Sequence, residues 1–226
     1  MSVDERMVHD IVQKVMANMQ ISGSVSGMHG VFKDMNDAIN ASIEAQKKVC
    51  TMTLDQREQI ISLIRKKTHE NAEILANMGV NETGMGNVGD KILKHHLTAD
   101  KVPGTEDIST IAWSGDRGLT LVEMGPFGVI GAITPATNPS ETVICNCIGM
   151  LAGGNTVVFN PHPNAKKTTI YTINMINEAS IEAGGPDNIA VTVEAPTLDT
   201  SAIMMKHPSI HLLVATGGPG VVTAVL

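Results

Sequence analysis

The stretch Phe127-Gly-Val-Ile-Gly-Ala-Ile-Thr-Pro-Ala-Thr-Asn-Pro-Ser140 decides the fold of this chain. Phe127 to Ile133 is a short apolar run without polar alternation, as expected of a strand buried on both faces, and the residues after it form a Pro- and Thr-rich turn. The pattern then repeats. Glu141 to Ala152 reads as a helix, Asn155 to Phe159 as a strand and Pro163 to Ala183 as a helix. Ile189 to Val193 is a strand, Thr197 to Lys206 a helix, Ile210 to Ala215 a strand, and a last helix starts near Gly218. Short apolar strands separated by helices predict an α/β fold: an open, Rossmann-like parallel sheet with right-handed crossovers and helices on both faces. Ligands of such sheets bind beyond the carboxyl ends of the strands, so chemistry is expected in the turns 134–140, 160–163, 194–196 and 216–220.

Upstream, the periodicity is helical over roughly 34–49, over 53–78 opened by Thr53 with Gln56 three residues later, and over 87–101 after Gly84-Met-Gly86. Ser109 to Ser114 and Leu119 to Met124 flank Gly115-Asp-Arg-Gly118 and predict a β-hairpin. A lone hairpin is marginally stable, so this one is expected to pair with something else, such as another subunit. The first twenty residues read as an amphipathic helix. Val3, Met7, Ile11 and Val15 recur every four, and Ser2 with Glu5 makes a capping box. A Ser/Gly linker over 21–33, centred on Ile21-Ser-Gly-Ser-Val-Ser-Gly27, separates this helix from residues 34–226. The helix either docks on its own domain or serves as a docking peptide for another protein.

The 226 residues fit one domain or one and a half, with a hydrophobic share of 42% that supports a real core. A formal net charge of −7, with one Trp, one Tyr and three Phe, argues against nucleic-acid binding, which needs a basic groove and aromatic platforms. No run of 18 apolar residues occurs, and the first helix carries only Arg6 and Lys14 as fixed positive charges, so neither a spanning helix nor a membrane surface is expected. Three cysteines without a secretory leader point to a reducing cytosol.

Cys145 and Cys147 stand two apart in a helix and therefore face apart, as small buried residues rather than a metal or redox pair. His95 and His96 are adjacent and read as a surface pair, and no zinc-type spacing occurs. Lys166-Lys167 sits one turn into a helix, where it either serves a nearby cofactor phosphate or, as is more expected, is solvent-exposed. In the turn Thr216-Gly-Gly-Pro-Gly220, three glycines allow close approach to backbone amides, one way of holding a phosphate and equally a steric necessity. Asn138 is a neutral donor at a strand end, able to stabilise an oxyanion, and Asn138 or Ser140 can also cap the helix that follows.

Met124 to Thr142 together with Leu151 to Pro163 resembles the aldehyde dehydrogenase superfamily. Trp113 to Met124 and His207 to Gly220 look more narrowly like the CoA-acylating aldehyde dehydrogenases of bacterial microcompartments, of the ethanolamine- and propanediol-utilisation type. The resemblance runs from about residue 36 onward. It implies oxidation of a short-chain aldehyde by NAD with coenzyme A as co-substrate, through a cysteine thioester. By this resemblance Asn138 donates to the oxyanion, and Thr134, Pro135 and Thr137 line the nicotinamide side. Asn160 and His162 occupy the turn where hydrolytic relatives grip the adenosine ribose with a Lys-Pro-Ser-Glu motif, and here the Lys and the acid are gone. The same resemblance implies that Thr216, Gly217, Gly218 and Val221 sit against the pyrophosphate and adenine, with Pro219 an acylating-type departure.

Residues 1–20 are similar to encapsulation peptides, which implies microcompartment shell protein as a partner and the lumen of that cytoplasmic body as the location. None of Cys50, Cys145 or Cys147 stands in the family's nucleophile motif, and Leu226 falls inside a helix. The expectation is an incomplete domain: an N-terminal half, inactive alone, of an enzyme that is a homo-oligomer at full length. Two further readings compete. One is a non-catalytic cargo or assembly module that binds shell protein; the other, an unrelated dinucleotide oxidoreductase, is disfavoured because no G-x-G-x-x-G follows a strand.

Overall fold

A computed structural model describes residues 27–225. Its main sheet has five parallel strands, β1 (Val31–Phe32), β4 (Val129–Thr134), β5 (Thr156–Pro161), β6 (Ala190–Val193) and β7 (Ile210–Ala215), in the order β1-β6-β5-β4-β7. Residues 1–20, read as an amphipathic helix, lie outside the described residues, as does the start of the linker.

Side chains alternate across this sheet as the apolar runs demand. Ala132, Val157, Phe159 and Ala190 face one core, which is built with α2 (Leu54–Thr83), α4 (Pro139–Ala152) and α5 (Lys166–Glu182). Val129, Val158, Val191 and Val193 face the other, packed by α1 (Met35–Val49) and by Met204 of α6 (Leu198–Lys206). Two helices complete the main body, α3 (Val88–Lys101) against α2, and α7 (Pro219–Val225) after β7. Gly131 lets β4, β7 and α6 close on each other, since a Cβ there would stand 2.9 Å from Leu213 Cδ2 and 3.3 Å from Met204 Cγ.

Helix starts follow their caps. Asp34 accepts the Asn36 amide at 2.8 Å to open α1, and Thr53 with Gln56 forms the expected capping box of α2, at 3.2 and 2.9 Å. α2 does not stop at 78. It runs five residues further, through Gly79, and ends only at Gly84, whose φ of 68° supplies the left-handed stop.

Four of the assigned features differ from expectation. Val31 and Phe32, placed inside the 21–33 linker, are a fifth strand on β6, each 1% exposed. Two residues carry no periodicity, so they had no signature of their own. Phe127 is outside the strand: its amide and that of Gly128 donate to Asn155 Oδ1 at 2.7 and 3.0 Å, and its ring is 61% exposed. His95 is fully buried rather than on the surface, although His96 beside it is partly open. Cys147 is buried as expected but Cys145 is exposed, the two facing apart on α4.

The hairpin is present as β2 (Ile111–Gly115) and β3 (Gly118–Val122), antiparallel, pairing Ile111 with Val122 and Gly115 with Gly118. Every residue of both strands is exposed.

Candidate functional site

Strand order reverses at β4. From β4 the chain proceeds to β5 and β6 on one side, then crosses to β7 on the other, so the loops after β4 and β7 diverge and leave a crevice at their carboxyl ends. A pocket of about 560 Å³ occupies that crevice, within the range for small-molecule sites. Its walls are the end of β4 (Thr134, Pro135 and Thr137), the end of β5 (Asn160 and His162), the face of α6, and the β7–α7 turn (Thr216, Gly217, Gly218 and Val221). A larger and shallower depression of about 740 Å³ lies between α2 and α5, walled by Glu73, Asn77 and Glu82, and includes none of the turns after the strands.

The sequence-derived candidates thus converge on one cavity, with one exception. Asn138 does not line it and stands one residue beyond Thr137, at the start of α4. Nor does its side chain cap that helix. Its carbonyl accepts the Thr142 amide at 3.1 Å, while its side-chain Oδ1 accepts from Lys94 Nζ at 3.3 Å. Ser140, the other candidate cap, is turned instead to His95 Nε2 at 2.7 Å.

Asn160 is 6% exposed and committed to the fold: the Thr200 hydroxyl donates to its Oδ1 at 2.7 Å, and its Nδ2 donates to the Thr197 carbonyl at 3.3 Å. These bonds tie β5 to the start of α6. His162 accepts the Asn164 amide at its Nδ1, 3.1 Å away, which in the neutral ring leaves the proton on Nε2 as a donor. Thr134 is 1% exposed and its hydroxyl has no partner, an orphaned polar atom on the pocket wall. At Gly218 and Gly220 nothing lies within 4 Å of where a Cβ would stand, so the backbone of the last turn is open to close approach. No lining side chain carries a fixed charge. A neutral cleft with an unpaired hydroxyl, a ring donor and bare backbone fits a nucleotide cofactor held by hydrogen bonds.

The α6 wall was not anticipated. Thr197, Ser201 and Met205 recur every four residues and present one face to the pocket. That spacing follows Glu194-Ala-Pro196 directly and was the available signal. Lys91, Lys94 and His95 of α3, which reach the 137–141 turn, were also missed. None of the three cysteines lines the pocket. Burial raises the Cys147 and Cys145 thiols above the ordinary range, which keeps them protonated. Among the described residues no group of three or more His, Cys, Asp or Glu is placed to hold a metal, and no helix is long and apolar enough to cross a membrane.

Residues 17–226 match the model of the aldehyde dehydrogenase family. The acetylating acetaldehyde dehydrogenase of Bilophila wadsworthia is 46% identical over 227 residues, covering 96% of this chain and 46% of its own length. A propionaldehyde dehydrogenase from the Clostridium phytofermentans fucose utilisation bacterial microcompartment is 72% identical with a TM-score of 0.86, over 87% of this chain and 45% of that one. The Rhodopseudomonas palustris propionaldehyde dehydrogenase, solved with bound propionyl-CoA, is 47% identical with a TM-score of 0.84, over 87% and 44% of the two chains. The chain therefore spans about half the length of the curated relatives it matches. Family model, relatives and strand order agree with the pocket at the β4–β7 switch, and the chain belongs to the aldehyde dehydrogenase family.

Proposed function

We propose that this chain is the NAD-binding part of a CoA-acylating aldehyde dehydrogenase that oxidises a short-chain aldehyde inside a bacterial microcompartment. The observation that carries this reading is the neutral pocket at the β4–β7 switch, in a chain 46% identical to an acetylating acetaldehyde dehydrogenase. Bound there, NAD supplies the hydride acceptor, and coenzyme A takes up the acyl group.

Each wall then has a task. Thr134, Pro135 and Thr137 pack the nicotinamide side, and the Thr134 hydroxyl gains the partner it lacks. His162 Nε2–H and the rim of Asn160 meet the adenosine ribose, and Thr216, Gly217, Gly218 and Val221 lie against the pyrophosphate and adenine. Asn138 directs its amide nitrogen at the oxygen of the aldehyde adduct as negative charge develops there, an interaction worth about 10²–10³ in rate for a donor of this type. The nucleophilic thiol belongs to the part of the family's length that this chain does not span. Residues 1–20 address the protein to shell protein, and the exposed hairpin β2–β3 joins subunits of a homo-oligomer.

Titration calorimetry of the chain with NAD+ tests the pocket directly. Saturable binding that is lost in Gly217→Val supports the reading, and absence of binding moves weight to a non-catalytic assembly module. Aldehyde- and CoA-dependent NADH formation by the whole protein, set beside none by residues 1–226, tests the assignment of the thiol. Deleting residues 1–20 should abolish co-purification with shell protein while leaving cofactor affinity unchanged.

A further inference from the structure

Helix α3 presents three side chains to the turn that carries Asn138. Lys91 is 3% exposed, and its Nζ donates to the Thr137 carbonyl at 2.9 Å while lying 3.4 Å from Glu141 Oε1. Burying an ammonium is costly unless its donors are used, so this contact pins the backbone immediately before Asn138. His95 fastens the residues immediately after it through its bond to Ser140. One turn along from Lys91, Lys94 places its Nζ 3.3 Å from Asn138 Oδ1.

That last contact has a directional consequence. An ammonium has three donors and no acceptor, so it can face only the oxygen of an amide. Oxygen and nitrogen diverge from one carbon, so Asn138 Nδ2 is directed away from α3. Among the described residues the Asn138 side chain is engaged only through its oxygen. A cation on Oδ1 also polarises the amide and strengthens the Nδ2–H donors.

We infer that Lys94 is a positioning residue that sets the donor sense of the Asn138 amide, while Lys91 holds the Thr137 carbonyl so that the pair stays in register. This rests on the reading of Asn138 as the oxyanion donor, and Lys94 acts only through that residue.

The test is a double-mutant cycle in the complete enzyme, following NADH formation from aldehyde and CoA. Asn138→Ala should lower kcat about 10²-fold. Lys94→Met should lower kcat about tenfold with KM for NAD+ changed less than about twofold, and Lys94→Arg should restore most of the loss. Added to Asn138→Ala, Lys94→Met should cost nothing more. If Asn138→Ala slows the enzyme but Lys94→Met either has no effect or adds its full loss in the double variant, the inference is overturned and the oxyanion reading survives. If Asn138→Ala leaves kcat unchanged, the oxyanion reading fails and takes the inference with it. Lys94 is exposed on α3, so unchanged melting temperature serves as the control for folding; should Lys94→Met melt lower, Lys94→Gln is read through the same cycle with the same criteria.

Discussion

The carboxylate of Glu82, near the end of α2, closes the first turn of α5: it accepts the Lys167 amide at 2.7 Å, the Thr168 amide at 2.8 Å and the Thr168 hydroxyl at 2.7 Å. Ala165, the residue at the cap position of α5, makes no side-chain cap bond. The helix is therefore capped by another helix rather than by its own sequence, and a negative group sits at its positive end. Glu82→Ala should cost about 1–2 kcal/mol in urea denaturation, and Glu82→Gln, which keeps one acceptor, about half of that. An unchanged midpoint for both would show the cap to be energetically idle.

Gly30 precedes the edge strand with φ 75°, and a Cβ there would collide with Asn177 Nδ2 and the Ala190 carbonyl and stand 3.0 Å from Ile173 Cγ2. Asn177 cannot yield, because its Nδ2 donates to Ala190 O at 2.6 Å and to Ile173 O at 3.0 Å. Gly30→Ala combines left-handed strain with overpacking and should destabilise by about 2–5 kcal/mol. Native-state hydrogen exchange should show β1 and the start of β6 losing protection before β4 and β5.

His95 makes stability fall on acidification. The Lys91 carbonyl at 2.6 Å can only accept, so Nδ1 holds the proton and Nε2 accepts from Ser140. Burial pushes the ring below its ordinary value of 6.5, opposed by Glu141 and by the hydrogen bond to the Lys91 carbonyl, and reinforced by the Lys91 ammonium and His96. A base whose folded value is lowered binds protons first in the unfolded chain. Its contribution is therefore fully present above 6.5 and is lost as pH falls from there through the folded value. The slope of unfolding free energy against pH below 6.5 should flatten in His95→Gln; an identical slope would assign the acid sensitivity elsewhere.

No charged side chain lines the pocket, so nothing there repels or attracts a 2′-phosphate by charge. The dissociation constants of NAD+ and NADP+ should differ by no more than about tenfold, an interval of about 1.4 kcal/mol. His162 is the lining ring donor, so His162→Ala should weaken NAD+ and NADP+ to a similar extent.

The alternation from residue 127 to the end was readable because each strand is an apolar run bounded by turn residues, and the runs are buried on both faces. The convergence of Thr134, His162 and Thr216 followed from chain topology alone, since all three sit at carboxyl ends of neighbouring strands. What escaped is long-range. Lys91 meets Thr137 and Glu141 across 46 and 50 residues, and no local pattern marks a lysine whose charge is spent on a distant carbonyl. His95 looked like half of a surface pair because the serine that buries it lies 45 residues away. The Asn160 amide, in the turn where hydrolytic relatives grip the ribose, also ties β5 to Thr200, a partner 40 residues on.

The exposed faces of β2 and β3 carry Trp113 at 57%, Leu119 at 64% and Leu121 at 59% exposure. An uncovered apolar ribbon of this kind supports the proposed role of the hairpin in joining subunits. Leu119→Glu with Leu121→Glu should shift the whole protein to a smaller species in light scattering and leave the affinity of the pocket for NAD+ unchanged.

The edge strand also bears on the order of events during folding. β1 is anchored by groups far along the chain: the His29 amide donates to Asn174 Oδ1, 145 residues away, and the His29 ring meets Asp187, 158 residues away. Contacts of such separation form late, after the loops they close have been shortened by other structure. A strand that lies well before its partners in the chain is thus among the last to be fastened. An edge strand tethered in this way acts as a late latch on the sheet as much as a strand of it.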